Sequence, residues 1–225
     1  MTPKPVTIAV DEARRVSGLL QHPRGARACY VLAHGAGAGM THPFITAIAD
    51  GLAERGIATL RYQFPYMEQG GKRPDAPKLA QATVRAAVAE AARLMPKLAL
   101  IAGGKSFGGR MTSQAQAESP LPRVRGLVFF GFPLHPAGRA SDERAQHLSD
   151  VHIPMLFVQG TRDPLADPNL LGPLVERLGP QATLKLVADG DHSFHVRASS
   201  GRTDAEARVK ILDRFVTWID EVTAG

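Results

Sequence analysis

Residues 98–109 read Leu-Ala-Leu-Ile-Ala-Gly-Gly-Lys-Ser-Phe-Gly-Gly, and the fold is decided there. Leu98–Ala102 is an apolar run without polar alternation, the pattern of a strand buried on both faces. Phe107–Glu118 reads as a helix. Between them, Gly104-Lys105-Ser106-Phe107-Gly108 matches G-x-S-x-G in the strand-to-helix setting that this motif requires. The turn is sharp, so a Cβ at either glycine would collide with a neighbouring strand or helix. The serine projects at a helix N-terminus, where the dipole and free N–H groups favour developing negative charge.

The same strand-then-helix unit recurs on either side. Thr7–Val10 and Val16–Gln21 read as two early strands joined by a turn. Cys29–Ala33, Ala58–Tyr62, Gly126–Phe130, Met155–Val158 and Thr183–Val187 are further strands. His42–Glu54, Leu79–Met95, Leu170–Leu178 and Asp204–Val222 carry helical spacing. Alternating strands and helices predict an α/β chain with a doubly wound, mostly parallel sheet covered by helices on both faces. At 225 residues the chain fits one such domain, 1–225. The only candidate cap segments, Pro65–Pro77 and Pro133–Gln146, are short, so no large cap is expected. Tyr66, Met67, Phe132 and Leu134 are expected to line a shallow pocket there.

A serine nucleophile needs a base, and the base needs an orienting acid. Where G-x-S-x-G serves this purpose the chain order is serine, acid, histidine. Gly160-Thr161-Arg162-Asp163-Pro164 puts an acid directly after the strand ending MLFVQ, and His192 follows the last strand, in Asp189-Gly190-Asp191-His192-Ser193. Ser106, Asp163 and His192 therefore stand on strand-end loops expected to converge on one sheet edge. Asp167 reads as a helix cap, and Asp189 and Asp191 as turn-formers. His34, beside a strand end, reads as a structural residue that positions its loop; His42, His135, His147, His152 and His195 read as surface or helix-end residues. The loop His34–Gly39 can lay backbone N–H groups against a reacting carbonyl, and the amides of Ala36 and Phe107 are the expected oxyanion donors.

Two nucleotide-binding resemblances fail. Gly35-x-Gly37 has Met40 where a dinucleotide fingerprint needs glycine, and no acid ends the following strand. Gly104-Lys105-Ser106 has Ala99 where a phosphate-binding P-loop needs its first glycine. The net charge of +6 arises from scattered basic residues with no run longer than two, which argues against a nucleic-acid partner. Neither a membrane span nor a signal peptide is expected, and Cys29 alone permits no intrachain disulfide, so the expected location is cytoplasmic. No spacing of His, Cys and Asp suggests a metal ligand set, and no cofactor is expected.

Over nearly its whole length the chain resembles the α/β-hydrolase superfamily. LAHGAGAGMTHPF (32–44), FPYMEQG (64–70), GGKSFGGRM (103–111), GFPLHP (131–136) and GTRDP (160–164) are more specific. They resemble a subfamily of small, lidless proteins related to dienelactone hydrolases, which also includes a testis-expressed protein and a regulatory subunit of a chromatin acetyltransferase complex. The resemblance implies the α/β-hydrolase fold and carries a triad onto Ser106, Asp163 and His192, but it supplies no substrate. Dienelactone hydrolases use a cysteine nucleophile, and this chain has Ser106 there. The expected activity is serine-dependent hydrolysis of a small ester or thioester through an acyl-enzyme. The alternative is a hydrolase-fold scaffold whose triad persists above a closed pocket.

Overall fold

The buried apolar runs assemble into a single eight-stranded sheet in the computed structural model, which describes residues 1–224. The strands are β1 (Lys4–Ala9), β2 (Arg15–Gln21), β3 (Ala28–Ala33), β4 (Ile57–Tyr62), β5 (Ala99–Lys105), β6 (Val124–Phe130), β7 (Met155–Gly160) and β8 (Ala182–Val187). Their order is β1-β2-β4-β3-β5-β6-β7-β8. The β1–β2 and β2–β4 pairs are antiparallel, and every pairing from β4 across to β8 is parallel. Among the described residues six α-helices accompany them, the last after β8: α1 (Pro43–Glu54), α2 (Pro65–Glu68), α3 (Pro77–Leu94), α4 (Phe107–Glu118), α5 (Pro168–Leu178) and α6 (Asp204–Thr223).

Alternation along each strand divides the core into two layers. In β3, Ala28, Tyr30 and Leu32 face the layer formed by α1 and α6, while Cys29, Val31 and Ala33 face that of α3, α4 and α5. This is why the central runs are apolar at every position: both faces are covered. The parallel strands all point their C-terminal ends to one edge, the edge where ligands bind in open sheets of this kind.

The expected strands and helices form, with two extensions that matter below. Backbone pairing carries β5 on to Lys105, opposite Phe130, and β7 on to Gly160, opposite Val187, beyond the last apolar residue of each run. Residues 65–77 contain the single-turn helix α2, and Glu68 pins it to β2 by accepting hydrogen bonds from the Ser17 amide (2.9 Å) and hydroxyl (2.7 Å). Residues 133–146 run into a short 3₁₀ segment, Glu143–Asp150. Neither makes a large cap. Among the described residues no helix is long and apolar enough to cross a membrane.

Candidate active site

Ser106 sits at the turn between β5 and α4 with φ 50° and ψ −116°, a conformation that L-residues seldom adopt and that must be held by its surroundings. Those surroundings are backbone. A Cβ on Gly104 would strike the Ala33 carbonyl of β3, and one on Gly108 would lie 2.5 Å from the His34 carbonyl. The Ser106 amide donates to the Phe130 carbonyl at 3.0 Å, anchoring the turn to β6.

Three loops meet at this point. The His192 Nε2 lies 2.9 Å from the Ser106 hydroxyl oxygen, and its Nδ1 lies 2.7 Å from Asp163 Oδ2. The Asp163 side chain is fully buried, whereas His192 keeps about a quarter of its side-chain surface exposed. Asp163 also accepts from the Leu165 amide through Oδ1 and from the Gln159 side chain through Oδ2. Gln159, buried in the extension of β7, was not anticipated from sequence. Its signal was a polar residue ending a run that is otherwise apolar and buried.

The loops carrying Asp163 and His192 are bound to each other. Thr161 and Arg162 amides donate to the carbonyls of Val187 and Gly190, and the Asp189 amide donates to the Thr161 hydroxyl. Asp189 takes φ 60° in its turn, and the Asp191 carboxylate accepts from the Ser193 and His195 amides, so both aspartates act as turn-formers. Asp167 caps α5 by accepting from the Asn169 amide at 2.9 Å.

The loop after β3 is held from below by His34, which is fully buried. The Phe64 amide can only donate, so it assigns Nε2 as acceptor at 3.1 Å and leaves the proton on Nδ1, which donates to the Gly35 carbonyl at 2.7 Å. Tyr66 adds a second prop by accepting from the Gly37 amide at 2.9 Å. Ala36 then faces the cavity beside Ser106 and His192, and Phe107 opens α4, where its amide has no intrahelical acceptor.

The cavity at Ser106, of about 390 Å³, is walled by Ala36, Ala38, His42, Phe44, Ile45 and Leu165. The expected lining differs: Phe132 and Leu134 are fully buried, Tyr66 nearly so, and Met67 packs against the same core. Phe132 stacks edge-on with Phe129 and Phe157, where apolar burial outweighs exposure at the pocket. The wall comes instead from the start of α1. One histidine departs from a surface or helix-end placement, whereas His147 keeps one, in the last turn of Glu143–Asp150. His135 is buried and accepts from the Asp167 amide at 3.0 Å, and His147 lies 2.7 Å from the Ser113 hydroxyl. His42 caps α1, and His195 pairs with Asp204 at the surface.

Burial pushes the imidazoles of His34 and His147 down from the ordinary 6.5 to about 4. Both are neutral when folded and take up a proton more readily when unfolded. Their contribution is therefore complete above pH 6.5 and is lost as pH falls towards 4. For the buried His34 this amounts to about 3 kcal/mol. Thermal melts between pH 7 and pH 4 should show Tm falling by several degrees across that window. A Tm that stays flat would contradict the neutral assignment.

A strained serine turn ahead of a helix, joined to histidine and buried aspartate at the carboxyl edge of a mostly parallel sheet, is an arrangement of the α/β-hydrolase fold. A family model described as "Alpha/beta hydrolase domain" matches residues 26–220, and the chain belongs to that family. Among solved structures it is similar to a dienelactone hydrolase from Anabaena variabilis (22% identity, TM-score 0.78, covering 98% of this chain and 99% of that one). It is also similar to an α/β serine hydrolase homologue from Coxiella burnetii (20%, 0.76, 95% and 97%). A Xanthomonas campestris serine hydrolase described as lacking a lid is similar at 22% identity (0.74, 96% and 94%).

Proposed function

We propose that the chain hydrolyses small esters or thioesters through an acyl-enzyme on Ser106. The observation that carries this reading is the unbroken hydrogen-bond chain from the Ser106 hydroxyl through His192 to the buried Asp163, open to a cavity on the serine side. In the first step His192 Nε2 takes the hydroxyl proton as Ser106 Oγ bonds to the acyl carbon. Asp163 keeps the other proton on Nδ1 and stabilises the imidazolium. The amides of Ala36 and Phe107 receive the carbonyl oxygen as it becomes an oxyanion, each donor contributing about 3 kcal/mol in sites of this kind. His192 then returns the proton to the leaving alcohol or thiol. Water, deprotonated by the same nitrogen, cleaves the acyl-enzyme and restores the serine.

The open cavity favours an enzyme over a scaffold with a closed pocket. Labelling by a fluorophosphonate probe, together with hydrolysis of p-nitrophenyl esters and acyl-thioesters, tests the proposal. A folded protein inert to all of them would leave the scaffold reading.

The walls predict a size limit. Each buried methylene contributes about 0.8 kcal/mol, but that gain stops where the cavity opens to solvent. With α2 pinned to β2 and residues 132–135 buried or tied down, no element among the described residues encloses a long chain above Ser106. kcat/KM for p-nitrophenyl esters should therefore peak at acyl lengths of about two to six carbons. A maximum at twelve carbons or more would mean that these segments form a lid.

A further inference from the structure

Lys105 is the residue before the nucleophile, yet its side chain reaches the loop that carries the base. Its stem packs against Gly35 in the loop after β3, where a glycine Cβ would lie 3.5 Å from the lysine Cγ. Its ammonium donates to the His192 carbonyl and stands 5.4 Å from the centre of the Phe194 ring. Phe194 has φ 63°, a left-handed conformation that is strained for a bulky residue and persists only where contacts impose it. The same ring stacks on Phe44 of the cavity wall, centroids 5.5 Å apart.

Room for the ammonium comes from Gly131, at the end of β6. A Cβ there would sit 2.8 Å from Lys105 Nζ and 3.3 Å from the His192 ring. One side chain therefore runs beside the loop proposed to bind the oxyanion, adjoins the proposed nucleophile and bonds to the backbone of the proposed base loop.

We propose that Lys105 is a positioning residue, a cationic clamp that holds the His192–Phe194 loop in the strained conformation presenting the imidazole to Ser106. This rests on the hydrolase reading above. Two contacts need the charge: a hydrogen bond from an ammonium is roughly twice as strong as a neutral one, and attraction to the Phe194 face vanishes with the cation. Burial lowers the amine to about 8, against the opposing pull of Asp163 after β7 and Asp191 after β8; the His192 ring is a further titratable neighbour, and His42 lines the same cavity. Above pH 8 the clamp loses its charge, so kcat/KM should descend on the alkaline side.

The test compares Lys105→Met with the unaltered protein in two ways. Amide exchange over residues 189–196 should speed up, and kcat/KM for a p-nitrophenyl ester should fall, each by about tenfold or more, as expected for loss of a hydrogen bond from a charged group. The variant should also lack the alkaline limb, which simple loss of packing would leave in place. Aminoethylation of Lys105→Cys rebuilds an ammonium, with Cys29 protected by burial, and should restore both rate and limb. Unchanged exchange in the loop overturns the clamp, whether or not the protein hydrolyses esters. Failure of the unaltered protein to react with ester or fluorophosphonate overturns the hydrolase reading, and loop exchange still decides the clamp. Should Lys105→Met not fold, loop exchange in the unaltered protein decides: corrected for intrinsic base catalysis, it must rise through pH 8.

Discussion

Ser106→Ala is expected to lower kcat for ester hydrolysis by about 10⁵-fold or more and to abolish fluorophosphonate labelling, with the fold intact. The serine hydroxyl is bonded to His192 Nε2, which also faces the open cavity, so its removal leaves that nitrogen in reach of water. The backbone that shapes the turn is unchanged, because the Ser106 amide and carbonyl still pair with Phe130 and Arg110. Tm should stay within a few degrees of the parent. Residual rate would be the share of the proposed oxyanion donors, the Ala36 and Phe107 amides, acting on a bound ester. Labelling that persists on another serine would move the nucleophile elsewhere. The buried Ser113, bonded to the half-buried His147, is the first place to look.

The second large effect separates two aspartates four residues apart. Asp163 uses both oxygens as acceptors: Oδ1 for the Leu165 amide, Oδ2 for Gln159 and His192. An asparagine has only one acceptor oxygen. With its oxygen towards Leu165, its NH₂ opposes the His192 Nδ1 proton and drives the imidazole to the tautomer that cannot accept from Ser106. With the amide reversed, the NH₂ faces the Leu165 N–H. Asp163→Asn should therefore cost about 10⁴-fold in kcat, the loss typical of a wrong tautomer. Asp167→Asn should change kcat by less than about twofold, because asparagine caps a helix as well as aspartate does. Its one side-chain partner is the Asn169 amide, which an asparagine oxygen still accepts from. The reverse ranking would transfer the acid to Asp167.

Much of the architecture was legible because its causes are local. Strands such as Cys29–Ala33 are apolar at every position since both faces are covered, and that is visible in a window of five residues. The glycines around Ser106 report a turn too tight for a Cβ, and the neighbouring backbones of Ala33 and His34 supply the obstruction. Chain order then places Ser106, Asp163 and His192 after β5, β7 and β8, whose ends share one edge, so these three could be proposed without knowing the strand order. Asp167 and Asp191 were readable for the same reason, since their side chains bond to residues two to four positions away, and Asp189 was readable through its left-handed turn conformation.

The sequence by itself thus determined the layers, the direction of the parallel strands and which residues come after their carboxyl ends, all of which follow from periodicity and near-neighbour sterics. Only the tertiary structure decided what surrounds them. Gln159 supports Asp163 because β7 continues past its apolar run, and Phe132 and Leu134 leave the pocket because the core on the α4 face takes them. His135 is buried because the segment after β6 closes onto Asp167, 32 residues away, and the His34 tautomer depends on the Phe64 amide, 30 residues away. The contact of Lys105 with His192 spans 87 residues. Such meetings are set by which strands lie side by side, a long-range arrangement that no local periodicity encodes.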